Sequence, residues 1–277
     1  MEASVSEAVV AVPVARIEGS SASEVEDVLA VEEPLEFRLD QITISLTMRT
    51  PGDDFELAAG FLFAEDLIAG GEDILAISRP ADGNPNVVEV RRTREARVNH
   101  LPARRNFLMT SACGVCGKAS LEDLERNTCP ALAPDHLRVD SSMIRRLPDR
   151  LRAAQAVFQS TGGLHAAALF DFNGELQAVR EDVGRHNAVD KLIGAALLNR
   201  QTPLSRKILL VSGRASFELV QKALMASIPL LAAVGAPSSL AVATARKAGM
   251  TLIGFLRNDR FNVYSGAGRI TVSENHT

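Results

Sequence analysis

The sequence predicts an α/β protein in which a small N-terminal α/β domain precedes a second α/β domain with a mostly parallel, helix-covered sheet. The chain of 277 residues is long enough for about two domains of ordinary size. Its first half holds a hairpin pattern and a helix pattern, whereas its second half alternates short apolar runs with helical patterns. Strands separated by helices require parallel crossover connections, and those connections cover both faces of a sheet.

The first domain is assigned to residues 31–135. The preceding segment, residues 1–30, has no clean hydrophobic period and is expected to be a flexible tail. Two runs that alternate apolar and polar residues around Asp40 predict a hairpin, and Asp53-Asp54 predicts the start of an amphipathic helix. The predicted elements are strands at 35–39 and 41–48, a helix at 54–68, and strands at 87–92 and 107–110.

The second domain is assigned to residues 136–277, because Pro130, Pro134 and Pro148 mark a transition between two patterns. A turn at Asn173-Gly174 joins its first two strands. The predicted strands are 166–172, 176–180, 207–212, 230–234 and 251–256, and the predicted helices are 186–199, 216–226 and 239–248.

Composition excludes several classes of function. The net charge is −4 and aromatic residues make up 4% of the chain, so neither charge nor stacking surface favours nucleic-acid binding. No run of about 20 apolar residues is present that could form a membrane-spanning helix. The first basic residue is Arg16, which is too late for the basic start of a signal peptide. We therefore expect a cytoplasmic protein that binds neither nucleic acid nor membrane.

The segment with the most chemical information is a CxxC motif at Cys113 and Cys116, flanked by glycines and followed by a helix-like stretch. Two thiols at this spacing can ligate a metal, cycle as a disulfide, or carry sulfur as a persulfide. The reactive form of cysteine is the thiolate, and a helix N-terminus and the cation of Lys118 would both favour it.

Zinc is the main alternative for this motif. Cys129 and His136 could complete a set of four ligands, but they do not form the second close pair typical of structural zinc sites. Cys129 is better explained as a small hydrophobic core residue. A thioredoxin-like dithiol is a further alternative, since a strand precedes the motif and a helix follows it.

The chain after about residue 30 resembles the formate dehydrogenase accessory sulfurtransferase family (FdhD type). The resemblance rests on six segments in order, whose combination is highly specific. They are RTPGDDFELAAGFLF at 49–63, TSACGVCGK at 110–118, TGGLHAA at 161–167, REDVGRHNAVDKLIG at 180–194, SGRASFELVQKA at 212–223 and GFLRNDRFNVY at 254–264.

This resemblance implies a sulfurtransferase. Family members take a persulfide sulfur from a cysteine desulfurase and pass it to the metal of a molybdenum or tungsten bis(molybdopterin guanine dinucleotide) cofactor, which formate dehydrogenase needs for activity. The resemblance also implies a cytidine-deaminase-like second domain, a homodimer, and a first cysteine, Cys113, that carries the sulfur. We expect Cys116 to assist, either by relaying the sulfur or by helping to release it through a disulfide. The zinc signature of the deaminases is absent, so no deaminase chemistry and no permanent metal are expected.

The resemblance further places cofactor contacts directly after the last predicted strand of the second domain. Ligands gather at the carboxyl ends of parallel strands, and arginine suits forked recognition of phosphate. Turns before two helices add backbone N–H groups, cations and histidines, although each turn by itself is weak evidence. The candidate cofactor-binding residues are Phe255, Leu256, Arg257, Asn258, Asp259, Arg260, Arg214, Arg185, His186 and His165.

Two hypotheses follow for the whole chain. In the first, it is a sulfurtransferase with Cys113 and Cys116 as catalytic residues, and GDP-like nucleotides mimic its bound cofactor. In the second, it is a non-catalytic chaperone that binds and inserts the cofactor, and its CxxC motif holds a structural zinc.

Overall fold

A computed structural model describes residues 5–93 and 129–272. The predicted strand at 107–110 and both cysteines of the CxxC motif lie outside the described residues. In chain order the elements are α1 (Val5–Ala8), β1 (Val9–Glu18), β2 (Ser21–Ala30), β3 (Glu33–Leu39), β4 (Ile42–Arg49), α2 (Asp54–Ala64), β5 (Ile74–Ser78), β6 (Val87–Arg92), β7 (Val139–Asp140), α3 (Ser141–Ala154), α4 (Ala156–Thr161), β8 (His165–Phe170), β9 (Leu176–Asp182), α5 (Arg185–Leu198), β10 (Ile208–Val211), α6 (Phe217–Met225), β11 (Leu230–Ala233), α7 (Ser239–Ala248), β12 (Thr251–Gly254), β13 (Asn262–Ser265) and β14 (Ile270–Thr271).

The larger sheet has six strands in the order β13-β12-β11-β10-β8-β9. Only the pairings β10/β11 and β11/β12 are parallel, whereas β8/β9, β8/β10 and β12/β13 are antiparallel. The prediction of a mostly parallel sheet is therefore wrong. Short turns join β8 to β9 and β12 to β13, and connections this short can join only antiparallel neighbours.

Helices cover both faces of this sheet, as predicted. Alternate residues of a strand point to opposite faces, and in β10 Leu209 and Val211 join one core cluster while Ile208 and Leu210 join another. The first cluster contains residues of α5, α6 and α7, and the second contains the apolar face of α3.

The smaller sheet has the order β4-β3-β6-β5. Its β3–β4 hairpin and strand β6 confirm the predictions for those segments, and β6 runs parallel to β3. Strand β5 was not predicted, because its apolar residues are half-buried or exposed and follow no clear alternation. Helix α2 begins at Asp54 as predicted but ends at Ala64, four residues before the predicted Ile68.

Helices α2 and α5 pack against each other at two glycines, Gly60 and Gly194. A Cβ atom at Gly60 would overlap the main-chain oxygen of Asp190, and one at Gly194 would overlap the main-chain oxygen of Glu56. The two helix backbones therefore touch directly. One hydrophobic cluster contains core residues of both sheets, such as Phe37 and Leu209. The division into domains at residues 135 and 136 remains a prediction.

Residues 9–30 form regular structure where we expected a loose tail. Strands β1 and β2 pair antiparallel from Val9 opposite Ala30 to Glu18 opposite Ser21, around a turn that places Gly19 at φ 61°. Most of this hairpin is exposed. Its backbone pairing therefore does not require the strict apolar–polar alternation that a buried face would impose, and the sequence pattern did not reveal it.

Helix α3 lies in the region of Pro130, Pro134 and Pro148, where the sequence predicted the change between two domains. Its N-cap, Asp140, accepts a hydrogen bond from the backbone N–H of Ser142, and Pro148 lies inside the helix rather than at its end. The strong apolar face of α3 packs on the sheet, and this packing offsets the main-chain hydrogen bond that proline cannot donate. Within the part of the chain that the structure describes, no helix combines the length and apolar character needed to cross a membrane.

The contact between α2 and α5 gives a first prediction. Gly60→Ala or Gly194→Ala should lower the free energy of unfolding by about 1–3 kcal/mol, because the added methyl group forces the helices apart. The loss from the separated helices should be larger than the gain of about 1 kcal/mol that replacing glycine by alanine normally gives within a helix. Urea unfolding measures it, with Gly268→Ala as the control because a Cβ there meets open space. Equal stability of all variants would contradict the direct backbone contact.

Candidate functional site

A cavity of about 1030 Å³ lies at one edge of the larger sheet. Ser212 follows β10, Val234 follows β11 and Leu256 follows β12, so the cavity sits at the carboxyl ends of the parallel strands. His165, the first residue of the antiparallel β8, reaches the same edge. This is the position where open α/β sheets bind their ligands.

The structure brings six of the ten predicted cofactor-binding residues to this cavity and leaves four outside its lining. The six are His165, Leu256, Arg257, Asn258, Asp259 and Arg260, and the four are Arg185, His186, Arg214 and Phe255. Helices α3 and α4 and the turn after α4 supply the opposite wall, which the sequence analysis did not identify. That wall consists of Pro148, Asp149, Leu151, Arg152, Gln155, Phe158, Gly162, Gly163 and Leu164.

The loops after β10, β11 and β12 form a continuous floor through their main chains. The N–H of Gly235 donates to the oxygen of Gly213 at 2.8 Å, and the N–H of Phe255 donates to the oxygen of Gly235 at 3.0 Å. A Cβ on Gly235 would lie 2.9 Å from the Gly213 oxygen, so a larger residue would separate these loops. Phe255 adopts a left-handed φ of 52° and its side chain is 44% exposed. It therefore belongs to the rim and not to the cavity wall.

Arg257 lines the cavity and also bonds to the main chain of the loops around it. Its Nη1 donates to the main-chain oxygens of Val234 at 2.6 Å and of Leu256 at 2.9 Å. Its backbone N–H donates to the oxygen of Arg260 at 2.8 Å, which closes a tight turn. The geometry therefore makes Arg257 an organiser of the loop.

Two other cations of the cavity remain available. Arg152 and Arg260 are exposed, and neither forms a salt bridge with any residue of the described ranges. Asp149 forms no salt bridge with Arg152 and instead accepts a hydrogen bond at 2.8 Å from Nδ2 of Asn258. That bond ties α3 to the loop after β12 across the cavity. Arg257 likewise forms no salt bridge with the described residues, so the cavity offers three guanidinium groups to an anionic ligand.

The two histidines occupy a drier part of the site. Burial lowers the pKa of His165, and the neighbouring cation of Arg185 lowers it further, while Asp182 opposes the change. Burial also lowers the pKa of His186 to about 3, with contributions from Lys222, Arg185 and His165. His186 lies 3.2 Å from the hydroxyl oxygen of Ser216 and makes no part of the cavity wall. Both rings are neutral near pH 7, so they can exchange hydrogen bonds but carry no positive charge for an anion.

Arg185 and Gly213 lie beside His165. A Cβ on Gly213 would be 3.4 Å from Nδ1 of His165 and 3.9 Å from Cδ of Arg185. The Nε of Arg185 is buried and has no hydrogen-bond partner among the described residues. Arg185 therefore lies close to His165 but does not itself line the cavity.

A buried ion pair, Asp182 with Lys191, links the end of β9 to α5. Asp182 is fully buried and lies 2.8 Å from Nζ of Lys191, whose side chain is 2% exposed. The backbone N–H of Thr50 donates to Asp182 at 3.2 Å, and Nζ of Lys191 donates to the oxygen of Thr50 at 2.9 Å. Asp182 also accepts a bond at 2.8 Å from the N–H of Gly184, just before α5.

The segments at 49–63 and 180–194 therefore hold each other. Besides the buried pair, the Arg180 guanidinium donates to both carboxylate oxygens of Glu56, at 2.5 and 2.8 Å. Nδ2 of Asn187 donates to the main-chain oxygen of Met48 at 2.8 Å. These contacts fix β9 and α5 against the smaller sheet.

A second buried pair joins α5 to α6. Nζ of Lys222 donates to the two carboxylate oxygens of Asp190 at 2.7 and 2.8 Å. Burial raises the pKa of Asp190 to about 6, and the cation of Lys222 acts in the opposite direction. The same cation lies 5.9 Å from the centre of the Phe61 ring. This pair belongs to the packing of α2, α5 and α6.

Of the four residues in the zinc hypothesis, the structure describes Cys129 and His136. Across residues 5–93 and 129–272 no group of three or more His, Cys, Asp or Glu side chains is placed to hold a metal ion. Cys129 packs against the hydrophobic core, as the sequence predicted. The other two cysteines of the hypothesis lie outside those ranges, so a metal at the CxxC motif remains untested.

The buried Asp182–Lys191 pair gives a prediction about stability. Lys191→Met should lower the free energy of unfolding by about 3–5 kcal/mol, because it leaves the buried carboxylate without its partner. Urea unfolding would measure the loss, and Lys247→Met is the control because Lys247 is exposed. Adding Asp182→Asn to Lys191→Met should restore part of the stability. A loss no larger than that of the control would mean that the pair does not hold the site together.

The lowered pKa of His186 gives a prediction about pH. Its ordinary value is 6.5 and its folded value is about 3, so between these values the unfolded chain binds the extra proton. Stability must therefore fall as the pH falls through this window, by at most about 1.4 kcal/mol per pH unit. Asp190, with its raised pKa, acts in the opposite direction, but it does so equally in a His186→Gln variant.

Comparing that variant with the unmodified protein isolates the histidine. Between about pH 6.5 and pH 5, the unmodified protein should lose about 2 kcal/mol more stability in urea unfolding than His186→Gln. Parallel stability curves over this range would show that His186 titrates normally in the folded state.

Comparisons with known proteins agree with this architecture. The model of the FdhD/NarQ family matches residues 30–271. The sulfur carrier protein FdhD of Streptomyces coelicolor is 54% identical over 267 residues, which cover 94% of both chains. That of Mycobacterium tuberculosis is 52% identical over 254 residues, covering 88% of this chain and 92% of the other. That of Sulfolobus acidocaldarius is 42% identical over 259 residues, covering 94% of this chain and 97% of the other.

A solved structure supports the fold. The crystal structure of a formate dehydrogenase accessory protein from Desulfotalea psychrophila superposes with a TM-score of 0.75 at 27% sequence identity. The match covers 95% of this chain and 99% of the other. The family model and the relatives cover nearly all of the described fold, including both walls of the cavity. The chain belongs to the FdhD/NarQ family.

Proposed function

We propose that this protein is a sulfur carrier that takes a persulfide sulfur from a cysteine desulfurase and delivers it to a bis(molybdopterin guanine dinucleotide) cofactor of molybdenum or tungsten. Formate dehydrogenase would be the enzyme that receives the finished cofactor. The observation that carries this proposal is the cavity at the carboxyl edge of the larger sheet, which is lined by the residues 256–260. The relatives named as sulfur carrier proteins support the sulfur chemistry.

The cavity suits part of such a ligand. Its volume of about 1030 Å³ is at the upper end of the range for small-molecule sites, so it can hold a nucleotide half of the cofactor. Arg152 and Arg260 supply uncompensated positive charge for a pyrophosphate. Asp259 supplies a carboxylate, which can accept hydrogen bonds from N1–H and the amino group of guanine.

Sulfur uptake is assigned to Cys113. Its thiolate attacks the outer sulfur of the persulfide on the desulfurase, the S–S bond of that persulfide breaks, and the desulfurase cysteine leaves as a thiolate. Cys113 then holds the sulfane sulfur as its own persulfide. No electrons enter or leave in this exchange, so no oxidant or reductant is needed.

Sulfur release is assigned to Cys116. Its thiolate attacks the inner sulfur of the Cys113 persulfide, a Cys113–Cys116 disulfide forms, and the outer sulfur leaves as hydrosulfide. The two thiols supply the two electrons that reduce the sulfane sulfur, and the hydrosulfide becomes the sulfur ligand of the cofactor's metal. A dithiol reductant must then reopen the disulfide before the next cycle.

The protein acts in the cytoplasm as a homodimer, and it holds the cofactor as an acceptor of sulfur, with no permanent metal of its own. The alternative is a chaperone that binds and inserts the cofactor while the CxxC motif holds zinc. The two differ in one respect that can be measured, since zinc would occupy the thiolates that a persulfide requires.

Sulfur loading should depend on one cysteine. After incubation with a desulfurase and cysteine, the peptide that contains Cys113 should gain one sulfur atom, which a reductant removes. Cys113→Ser should abolish the gain, whereas Cys116→Ser should still load sulfur but fail to activate formate dehydrogenase. Peptide mass spectrometry of the non-reduced protein measures the gain, and Cys129→Ser is the matched control.

Loading of Cys113→Ser to the level of the unmodified protein would remove Cys113 as the carrier. No loading of any variant by an active desulfurase, together with one equivalent of bound zinc, would favour the chaperone instead.

GDP binding should depend on Arg260. Arg260→Ala should raise the dissociation constant of GDP by about tenfold or more, because a hydrogen bond to a charged group contributes about 1.5–3 kcal/mol. Isothermal titration calorimetry measures it. Arg206→Ala is the control, since this exposed arginine precedes β10 at the opposite edge of the sheet. If the dissociation constants of both variants equal that of the unmodified protein, Arg260 does not contact the ligand.

A further inference from the structure

Helix α4 forms a wall of the cavity that the family segments at 254–264 do not include. It spans Ala156–Thr161, and Phe158 is its residue at the cavity. The ring of Phe158 is half-buried. Among the described lining residues, it is the one purely apolar aromatic ring, and the only other aromatic ring is the imidazole of His165.

Helix α4 is fixed at its start by a carboxylate from β9. The backbone N–H groups of Val157 and Phe158 donate to the two oxygens of Glu181, at 3.0 and 2.9 Å. Two bonds from one carboxylate determine both the position and the orientation of the first turn. A carboxylate at this end of a helix also compensates the partial positive charge of its exposed N–H groups.

The other end of α4 is fixed by its own turn. Gly162 adopts a left-handed φ of 66°, and its N–H donates to the oxygen of Phe158 at 2.7 Å. The hydroxyl of Thr161 donates to the oxygen of Val157 at 2.9 Å. The backbone that carries Phe158 is therefore held on both sides, which keeps the loss of conformational entropy on ligand binding small.

The surroundings of Phe158 favour a ligand with both a flat ring and a charge. Arg152 and Gln155 line the same wall, and Arg260 lines the facing loop. An apolar ring that is left partly exposed beside cations gains most from a partner that covers its face while a linked anionic group meets the cations. A nucleotide has this combination, and stacking of a base on an aromatic side chain contributes about 1–3 kcal/mol.

We propose that Phe158 is the base-stacking residue of the cavity and that Glu181 is the positioning residue that holds it there. The proposal rests on the proposed function, because it concerns the guanine of the same ligand. It assigns stacking of the base to the wall formed by α4, and leaves the polar contacts with the guanine edge and the pyrophosphate to the charged groups that face it.

The test compares two probes by isothermal titration calorimetry, GDP and inorganic pyrophosphate. Phe158→Leu keeps an apolar side chain but removes the flat ring, so it should weaken GDP binding by about tenfold. Phe158→Tyr should retain the affinity for GDP. Pyrophosphate has no base, and its affinity should be the same for all three proteins. Phe55→Leu is the matched control, because that phenylalanine is 39% exposed on α2, outside the cavity.

Glu181 needs a separate pair of variants. Glu181→Ala should weaken GDP binding without changing pyrophosphate binding, and Glu181→Gln, which retains one acceptor oxygen, should restore part of the affinity. A merely structural role would lower the affinity for both probes together.

Each outcome decides one question. If the unmodified protein binds GDP and Phe158→Leu binds it equally well, the stacking role is wrong and the proposed function stands. If Phe158→Leu loses GDP and pyrophosphate alike, Phe158 supports the fold of the cavity and the stacking role is again wrong. If the unmodified protein binds neither probe, both the stacking role and the proposed cofactor site are wrong.

Discussion

The end of strand β9 is the point on which both the fold and the cavity depend. Glu181 and Asp182 are neighbours in a strand, so their side chains point to opposite sides of the sheet. Asp182 forms the buried pair with Lys191 and binds Thr50, which holds the smaller sheet in place. Glu181 binds the start of α4 and so sets one wall of the cavity. A buried charge pair tolerates little displacement, because its strength depends on short, well-aligned contacts. One short segment thus couples the joint between the sheets to the ligand site.

The close contact of α2 with α5 serves the same joint. The glycines allow the two helix backbones to touch, and this contact brings strand β9, which precedes α5, close to the start of α2. Arg180 reaches Glu56 near the start of α2, while the second buried pair, Asp190 with Lys222, extends the contact to α6. The segments at 49–63 and 180–194 are therefore involved in packing, whereas residues of the segments at 161–167, 212–223 and 254–264 line the cavity. A sequence signature does not by itself distinguish these two roles.

The sequence predicted the elements whose cores impose a clear period. The β3–β4 hairpin, the strands β8 to β12 and the helices α5 to α7 lie close to their predicted positions. It could not predict the order of strands, because pairing depends on which turns are short, nor the exposed β1–β2 hairpin. Arg257 stays a predicted phosphate contact, and its bonds to main-chain oxygens could not be predicted, because only the folded loop brings these atoms together. Phe158 was missed although it lies shortly before His165, a predicted contact, because the uncharged stretch that forms α4 carries no ligand-binding pattern that the sequence could reveal.

The central claim is that sulfur passes from this protein to a cofactor held in the cavity. It is tested most directly by loading the protein with radioactive sulfur from a desulfurase, removing the desulfurase, and adding the bis(molybdopterin guanine dinucleotide) cofactor. Our account predicts that the label leaves the protein and appears on the cofactor within one turnover, and that an excess of GDP prevents this transfer. Label that stays on the protein, or transfer that GDP does not affect, would contradict the claim.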